Sequence, residues 1–134
     1  MANLWTPVCD QLGIQHPIFG FAHDVATVAA ITNAGGYGVY GATRRFPEEI
    51  TAELAEIHRL VGDKPFGVDL VLPPGMPEHN SREAIEAEIP AEHRAFVDDL
   101  IERFKVPDAT EPGMRTRFIR STEIEEAQIR AVLD

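Results

Sequence analysis

The stretch from His16 to Gly41 constrains the fold most strongly, because it predicts two buried strands with a helix between them. The apolar run at residues 17–21 predicts the first strand. Residues 25–34 are apolar on nearly every side, so we expect a helix that other parts of the protein cover. Residues 37–42 predict a second, glycine-rich strand. Two apolar strands joined by a helix form a βαβ unit, which predicts a parallel sheet.

The ends of this helix are marked by residues with specific backbone preferences. Asp24 is placed to accept hydrogen bonds from the amide groups of the first turn, which have no partner within the helix. Gly35 and Gly36 follow the last apolar residue, and glycine adopts the left-handed conformation that ends helices. The sequence therefore predicts a helix that begins after Asp24 and ends before Gly35.

Three glycines in and just before the second strand match the dinucleotide-binding pattern GxGxxG: Gly36, Gly38 and Gly41. That pattern binds a pyrophosphate only where the glycines follow a strand and open a helix. Here the glycines follow a helix and lie along a strand. We interpret them as residues that permit a close turn and close packing of the strand.

The composition favours a soluble cytoplasmic protein that binds neither nucleic acid nor membranes. A net charge of -10 over 134 residues opposes binding to polyanions and to anionic membrane surfaces. A single cysteine, Cys9, cannot form an intrachain disulfide and fits a reducing compartment. Its apolar surroundings predict a packed thiol rather than a catalytic one.

Further elements on both sides extend the α/β pattern. Thr6-Pro7 predicts a short first helix that Gly13 ends. Residues 47–61 predict the clearest amphipathic helix, because apolar side chains recur with helical spacing on one face: Ile50, Leu54, Ile57 and Val61. Residues 66–72 predict a third apolar strand. The order strand, helix, strand, helix, strand indicates a parallel α/β fold.

The character of the sequence changes after Pro77. We expect a short acidic helix at residues 81–88 and a helix at 91–104 with an apolar stripe: Phe96, Val97, Leu100, Ile101 and Phe104. Residues 107–120 predict a loop. The pattern Thr122-x-x-Glu125 predicts a capping box for a last helix, 123–133, with Ile124, Ala127 and either Ile129 or Ala131 facing inward.

Two other features give weaker signals. Arg44 and Arg45 could form an anion site, but a pair of arginines without a glycine loop favours a solvated surface. His79 and His93 are too far apart to indicate a metal site, so no metal is expected.

The order of these segments resembles the nitronate monooxygenases, also called 2-nitropropane dioxygenases. The similar sequence segments are LGIQHPIF, ITNAGGYGVYGA and DKPFGVDLVLP, and the resemblance covers residues 6–73. The resemblance implies an FMN-dependent oxidoreductase on a TIM-type (β/α)₈ barrel. On that basis residues 1–77 are the first βα units of the barrel, and residues 78–134 are an acidic helical insertion followed by a barrel helix.

The resemblance also implies where the flavin lies, at the carboxyl ends of the strands. The expected cofactor-binding residues are Gly20, Phe21, Ala22 and Asp69, and His23 is the candidate catalytic acid or base. The family usually has proline-methionine where this chain has Gly20 and Phe21, and asparagine where it has Asp69. The alternative for His23 is a residue that only flanks the helix start.

An incomplete barrel implies further polypeptide. The family's phosphate-binding loops and usual catalytic histidine have no counterpart here, so the chain alone is not expected to hold FMN. We expect the remainder of the barrel to come from a second chain or a C-terminal part, or the open sheet to pair in a homo-oligomer.

Two classes of function therefore remain open. The first is the N-terminal portion of an FMN enzyme that oxidises nitronates with O₂ or, alternatively, of a flavin-dependent enoyl reductase. The second is a non-catalytic subunit or binding module that retains the same fold.

Overall fold

The computed structural model describes residues 4–78, 81–108 and 121–134, which form a mixed α/β structure around a parallel sheet. The elements are α1 (Pro7–Leu12), β1 (Phe19–Ala22), α2 (Val25–Asn33), β2 (Tyr37–Gly41), α3 (Pro47–Val61), β3 (Gly67–Asp69), α4 (Arg82–Ala87), α5 (Ala91–Phe104) and α6 (Thr122–Leu133). The predicted alternation of strands and helices up to β3 is confirmed. Most of the predicted loop at 107–120 lies outside the described residues, and so does His79.

The sheet has the order β1-β2-β3, and both strand pairs are parallel. Gly20 of β1 lies opposite Gly38 of β2, and Tyr40 of β2 lies opposite Val68 of β3. Each crossover contains one helix, as the sequence predicts. The third strand is shorter than the predicted apolar run, since pairing ends at Asp69. Because all strands run in the same direction, their carboxyl ends lie along one edge.

The hydrophobic core lies on one face of the sheet, between the strands and helices α2 and α3. Its fully buried side chains include Val28, Tyr40, Ile50 and Ile57. The four apolar residues predicted for the inner face of α3 meet this core, with Leu54 partly buried. The amphipathic pattern thus correctly gives both the helix and the face that it buries.

No described residue covers the opposite face of the sheet, and this face is largely apolar. Phe19 and Phe21 are 54% and 55% exposed there. The ring of Phe19 lies 5.4 Å from that of Tyr37, and a Cβ on Gly67 would meet the same tyrosine. Parallel sheets are normally covered on both faces. The described chain supplies the cover for only one.

The ends of α2 agree with the prediction, but its surroundings do not. The Asp24 carboxylate accepts a hydrogen bond of 2.8 Å from the Thr27 amide, and Gly35 has a φ of 89° after the last turn. The expectation that protein covers every side is wrong within the described residues, since Ala26 and Ala30 are exposed. The sheet and α3 cover one side only, and alanine exposes little apolar area.

The last helix packs against α3, and its start differs from the prediction. Ser121 caps it, because the Ser121 hydroxyl accepts a hydrogen bond of 3.3 Å from the Ile124 amide. Thr122 is the first helical residue, and its hydroxyl donates to the Met76 carbonyl at 3.1 Å. The predicted capping box at Thr122 is therefore wrong by one residue. The side chains nearest the core are Gln128, Ala131 and Val132.

Helices α4 and α5 form as predicted within one or two residues. None of the residues of α5 is buried. Within the described part of the chain, no helix is both long and apolar enough to cross a membrane.

Candidate functional site

The carboxyl ends of the three strands bring three of the predicted site residues to one edge of the sheet. Phe21 and His23 come from the end of β1, and Asp69 ends β3. Gly41 of β2 lies between them in the strand order. The Ala42 amide donates to the Asp69 carbonyl over 3.0 Å, which holds the ends of β2 and β3 together.

His23 is oriented by two contacts at this edge. Its Nδ1 lies 2.8 Å from the Gly41 carbonyl oxygen, and its ring meets the Phe21 ring edge-on with centroids 4.9 Å apart. A carbonyl oxygen only accepts, so Nδ1 carries the proton in this contact. In the neutral ring, Nε2 then has the lone pair and is able to accept a proton. This geometry suits a general base, although the side chain remains exposed.

The alternation of β1 divides the other predicted residues between the two faces. A Cβ on Gly20 would meet the Ile31 side chain of α2, and Ala22 packs against the hydrophobic core. Both residues therefore point towards the helices. Phe21 points to the open face, where it lies close to Gly41. A ligand on the open face would meet the side chain of Phe21 and only the backbone of Gly20 and Ala22.

Asp69 points to the open face, because its neighbours Val68 and Leu70 both pack against the core. The sequence suggests a strand buried on both faces, but Asp69 is exposed in the described chain. Lys64, the basic residue just before this strand, does not pair with Asp69 among the described contacts. The Lys64 ammonium instead donates to the Asn33 side chain over 2.6 Å, at the opposite end of the strands.

A polar network centred on Arg45 lies behind this edge, and the sequence interpretation missed it. The Arg45 guanidinium lies 2.9 Å from a Glu53 carboxylate oxygen and 3.2 Å from the Tyr40 hydroxyl. Gln128 of α6 donates to the Arg45 carbonyl over 2.7 Å. The side chain of Arg45 is only 20% exposed, so the solvated-surface interpretation is wrong for this residue.

One feature of the sequence could have indicated this network. Glu53 borders the apolar face of α3, where a carboxylate requires a partner as it leaves water. Arg44, the other member of the pair, is exposed.

The residues at the edge fit the ring system of FMN. A planar aromatic ring suits an open face that carries an exposed aromatic side chain, and Phe21 supplies one at this edge. A Cβ at position 41 would meet the side chains of Phe21 and His23, so glycine leaves room for both side chains beside β2.

The same edge does not fit the FMN phosphate. Phosphates bind at helix N-termini through free amides, but carboxylates occupy both N-termini here. Asp24 accepts from an amide of α2, and the Glu49 carboxylate accepts from the Phe46 amide over 2.8 Å at the start of α3. Within residues 4–78, 81–108 and 121–134, no group of three His, Cys, Asp or Glu side chains could hold a metal ion.

Comparison with known proteins identifies a relative of this chain. The chain is 40% identical over 114 residues to a protein of Mycobacterium tuberculosis named "Putative monooxygenase Rv1533". The similarity covers 79% of this chain, which spans only 29% of that relative's length. No family model matches the chain.

Proposed function

We propose that this chain forms the first βα units of a (β/α)₈ barrel in a cytoplasmic, FMN-dependent oxidoreductase of the monooxygenase type. The parallel strands with helices on one face support the barrel architecture. The 40% identity to a protein named as a monooxygenase supports the reaction type. The resemblance to the nitronate monooxygenases favours nitronates as substrates and O₂ as the oxidant.

The uncovered apolar face of the sheet is the single observation that carries this proposal. In a closed barrel this face is the interior, which side chains of all strands fill. Here Phe19 and Phe21 expose more than half of their surface. Further polypeptide, from the same protein or a second chain, would cover these rings and supply the phosphate site that the described edge does not contain.

The residues at the carboxyl edge have distinct roles in this proposal. FMN, when bound, supplies electron transfer between substrate and oxidant. Phe21 would pack beside the flavin ring. His23, held by the Gly41 carbonyl, would accept a proton from the substrate through Nε2. Asp69 would place a carboxylate close to the ring and oppose negative charge there.

Identification of the bound cofactor tests the proposal. The 134-residue chain alone and the assembly captured through this chain from its host would both be analysed by absorbance and mass spectrometry. We expect FMN in the assembly and none in the isolated chain, because the edge offers no phosphate site. Flavin in the isolated chain would contradict our conclusion that the edge has no phosphate site. Absence of flavin from both samples would contradict the proposal of an FMN-dependent enzyme.

Turnover assays distinguish the substrates. The flavin-containing assembly would be given a nitronate under air, and separately an enoyl thioester with a nicotinamide reductant. Nitronate consumption with O₂ uptake is the expected result. The variant Glu48→Gln, changed on the exposed surface of α3, serves as a control and should turn over the substrate like the wild type. Enoyl reduction alone would assign the chain to the other flavin enzyme class.

A non-catalytic module is the second candidate, and the capped helix N-termini favour it. The Asp24 and Glu49 carboxylates lie at the starts of α2 and α3, where they accept from the Thr27 and Phe46 amides, and such an edge does not attract an anionic cofactor. In that case the assembly would contain no flavin, and His23→Ala would change no measured activity.

A further inference from the structure

Helix α5 presents an apolar stripe that none of the described helices and strands covers. The helix has 14 residues, and none of them is buried. Phe96 and Phe104 are 62% and 66% exposed, and Val97 and Ile101 lie beside them with about half of their surface in water. An apolar face of this kind on a surface helix normally packs against a second element.

Two charges on one flank of the stripe are arranged so that they complement a second copy. Glu92 and Arg103 are eleven residues apart, or about three helical turns, so they lie on the same flank of the stripe near its opposite ends. When two identical helices pack antiparallel, the same flank of each helix meets. Glu92 of each copy then lies opposite Arg103 of the other, and the two ion pairs are related by symmetry.

The conformation of Arg103 agrees with this arrangement. Its guanidinium carbon lies 5.4 Å from the centroid of the Phe104 ring, so the charge is held at the border of the apolar stripe. The side chain is therefore already positioned along the flank where the partner helix would lie. Antiparallel packing also sets the N-terminal end of one helix beside the C-terminal end of the other, which is electrostatically favourable.

We propose that α5 is a dimerisation helix, which pairs antiparallel with α5 of a second copy of this chain. The two phenylalanine rings and their aliphatic neighbours form the centre of the interface, and the Glu92–Arg103 pairs set its orientation. A phenylalanine buries on the order of 150–250 Å² when fully covered, and these rings are already about one-third covered. Covering the four rings of the dimer therefore buries roughly 400–650 Å², and the aliphatic neighbours add less than this. The interface is smaller than the ~1,200 Å² of a stable dimer, so the dimer should dissociate on dilution.

Charge reversal with mixing tests the pairing on the full 134-residue chain. Glu92→Arg alone places two arginine pairs in the dimer, and Arg103→Glu alone places two glutamate pairs. Each variant should dimerise about tenfold more weakly than the wild type or worse, as expected for the loss of two exposed ion pairs and the gain of two repulsions. An equimolar mixture of the two variants regains both ion pairs and should dimerise like the wild type.

Sedimentation equilibrium over a concentration series measures the association, and far-UV circular dichroism checks that each variant keeps its helices. Glu102→Arg is the matched control, since position 102 lies on the side of α5 opposite the stripe, and this variant should behave like the wild type. Phe96→Glu should abolish association.

Three results would overturn the proposal: a wild-type chain that remains monomeric, reversals that leave the dimer unchanged, or a mixture that stays weak. Association that persists in Phe96→Glu would also overturn it, and would assign the contact to the unpaired side of an outer strand of the open sheet.

Discussion

Gly38 provides the sharpest test of how α2 packs on the sheet. It is the second residue of β2 and lies under α2, and its amide donates to the Thr32 hydroxyl over 3.3 Å. A Cβ at this position would lie 2.5 Å from the Val28 carbonyl oxygen and 2.6 Å from the Thr32 hydroxyl oxygen. The carbonyl belongs to the helix backbone, so it cannot rotate away, and Gly38→Ala must displace α2 from the sheet.

The cost of this displacement can be estimated from measured effects of overpacking. Inserting a methyl group into a packed core destabilises by about 1–3 kcal/mol. The lower entropy of the unfolded alanine chain offsets about 0.4–1 kcal/mol of this. We therefore expect Gly38→Ala to lower the free energy of unfolding by about 1–2 kcal/mol. With a denaturant dependence of about 1–3 kcal/mol per molar urea, the urea midpoint should fall by about 0.3–2 M.

Gly20→Ala is the matched control, because Gly20 is the register partner of Gly38 and faces the same helix. Its new methyl group would lie 2.6 Å from the Ile31 Cδ1 atom, the flexible end of a side chain. A rotamer change relieves that contact, so this variant should unfold close to the wild type. Urea unfolding followed by circular dichroism compares the three proteins. Equal midpoints for Gly38→Ala and the wild type, or a larger loss in Gly20→Ala, would refute the packing account.

Three further predictions concern the core, the last helix and the acid response. Ile57→Ala should cost about 2–5 kcal/mol because Ile57 is fully buried, whereas Leu60→Ala, at a residue that is 38% exposed, should change stability little; urea midpoints compare them. Gln128→Ala should cost about 1–3 kcal/mol, measured in the same way, since it removes a buried donor to a loop carbonyl. The hydrogen bond from the Thr27 amide lowers the pKa of Asp24 below 3.8, so its stabilisation is complete above that pH and is lost as the pH falls through the lowered value. Asp24→Asn should remove this part of the acid dependence in thermal melts recorded between neutral and acidic pH, and an unchanged dependence would exclude the cap as its source.

Strong periodic patterns in the sequence predicted most of the fold. The spacing of apolar residues gives α3 with its bounds and buried face, since one pattern specifies both. The alternating strands and helices give the parallel sheet, because a single helix between two apolar strands permits few other topologies.

Features that depend on tertiary neighbours could not be predicted from local patterns. The cap of α6 fell on Ser121 rather than Thr122, since the Thr122 hydroxyl is used by the distant Met76 carbonyl. The half-buried position of Arg45 depends on Gln128 of α6, which is 83 residues away, and on a contact with the buried Tyr40 that apolar periodicity does not reveal.

For the candidate site, the sequence indicated which residues follow the strand ends but not which way their side chains point. Parallel strands end together, so Phe21, His23 and Asp69 lie along one edge of the sheet. Which residues of β1 face the helices depends on the strand register, and a short apolar run with glycine does not specify it. Phe21 consequently faces the open side, and Gly20 and Ala22 do not.

The reduction potential of the flavin-bound assembly tests the central claim, that this edge faces the flavin ring. Asp69→Asn removes a carboxylate from the open face without changing its shape, so negative charge on the reduced flavin is opposed less. We expect the potential to rise, by tens of millivolts if the carboxylate lies close, where 30 mV for two electrons corresponds to about 1.4 kcal/mol. Asp63→Asn, at an exposed position near the opposite end of β3, is the matched control and should leave the potential unchanged. A spectroelectrochemical titration in which the potential rises only for Asp69→Asn supports the account, and equal potentials for the wild type and both variants would contradict it.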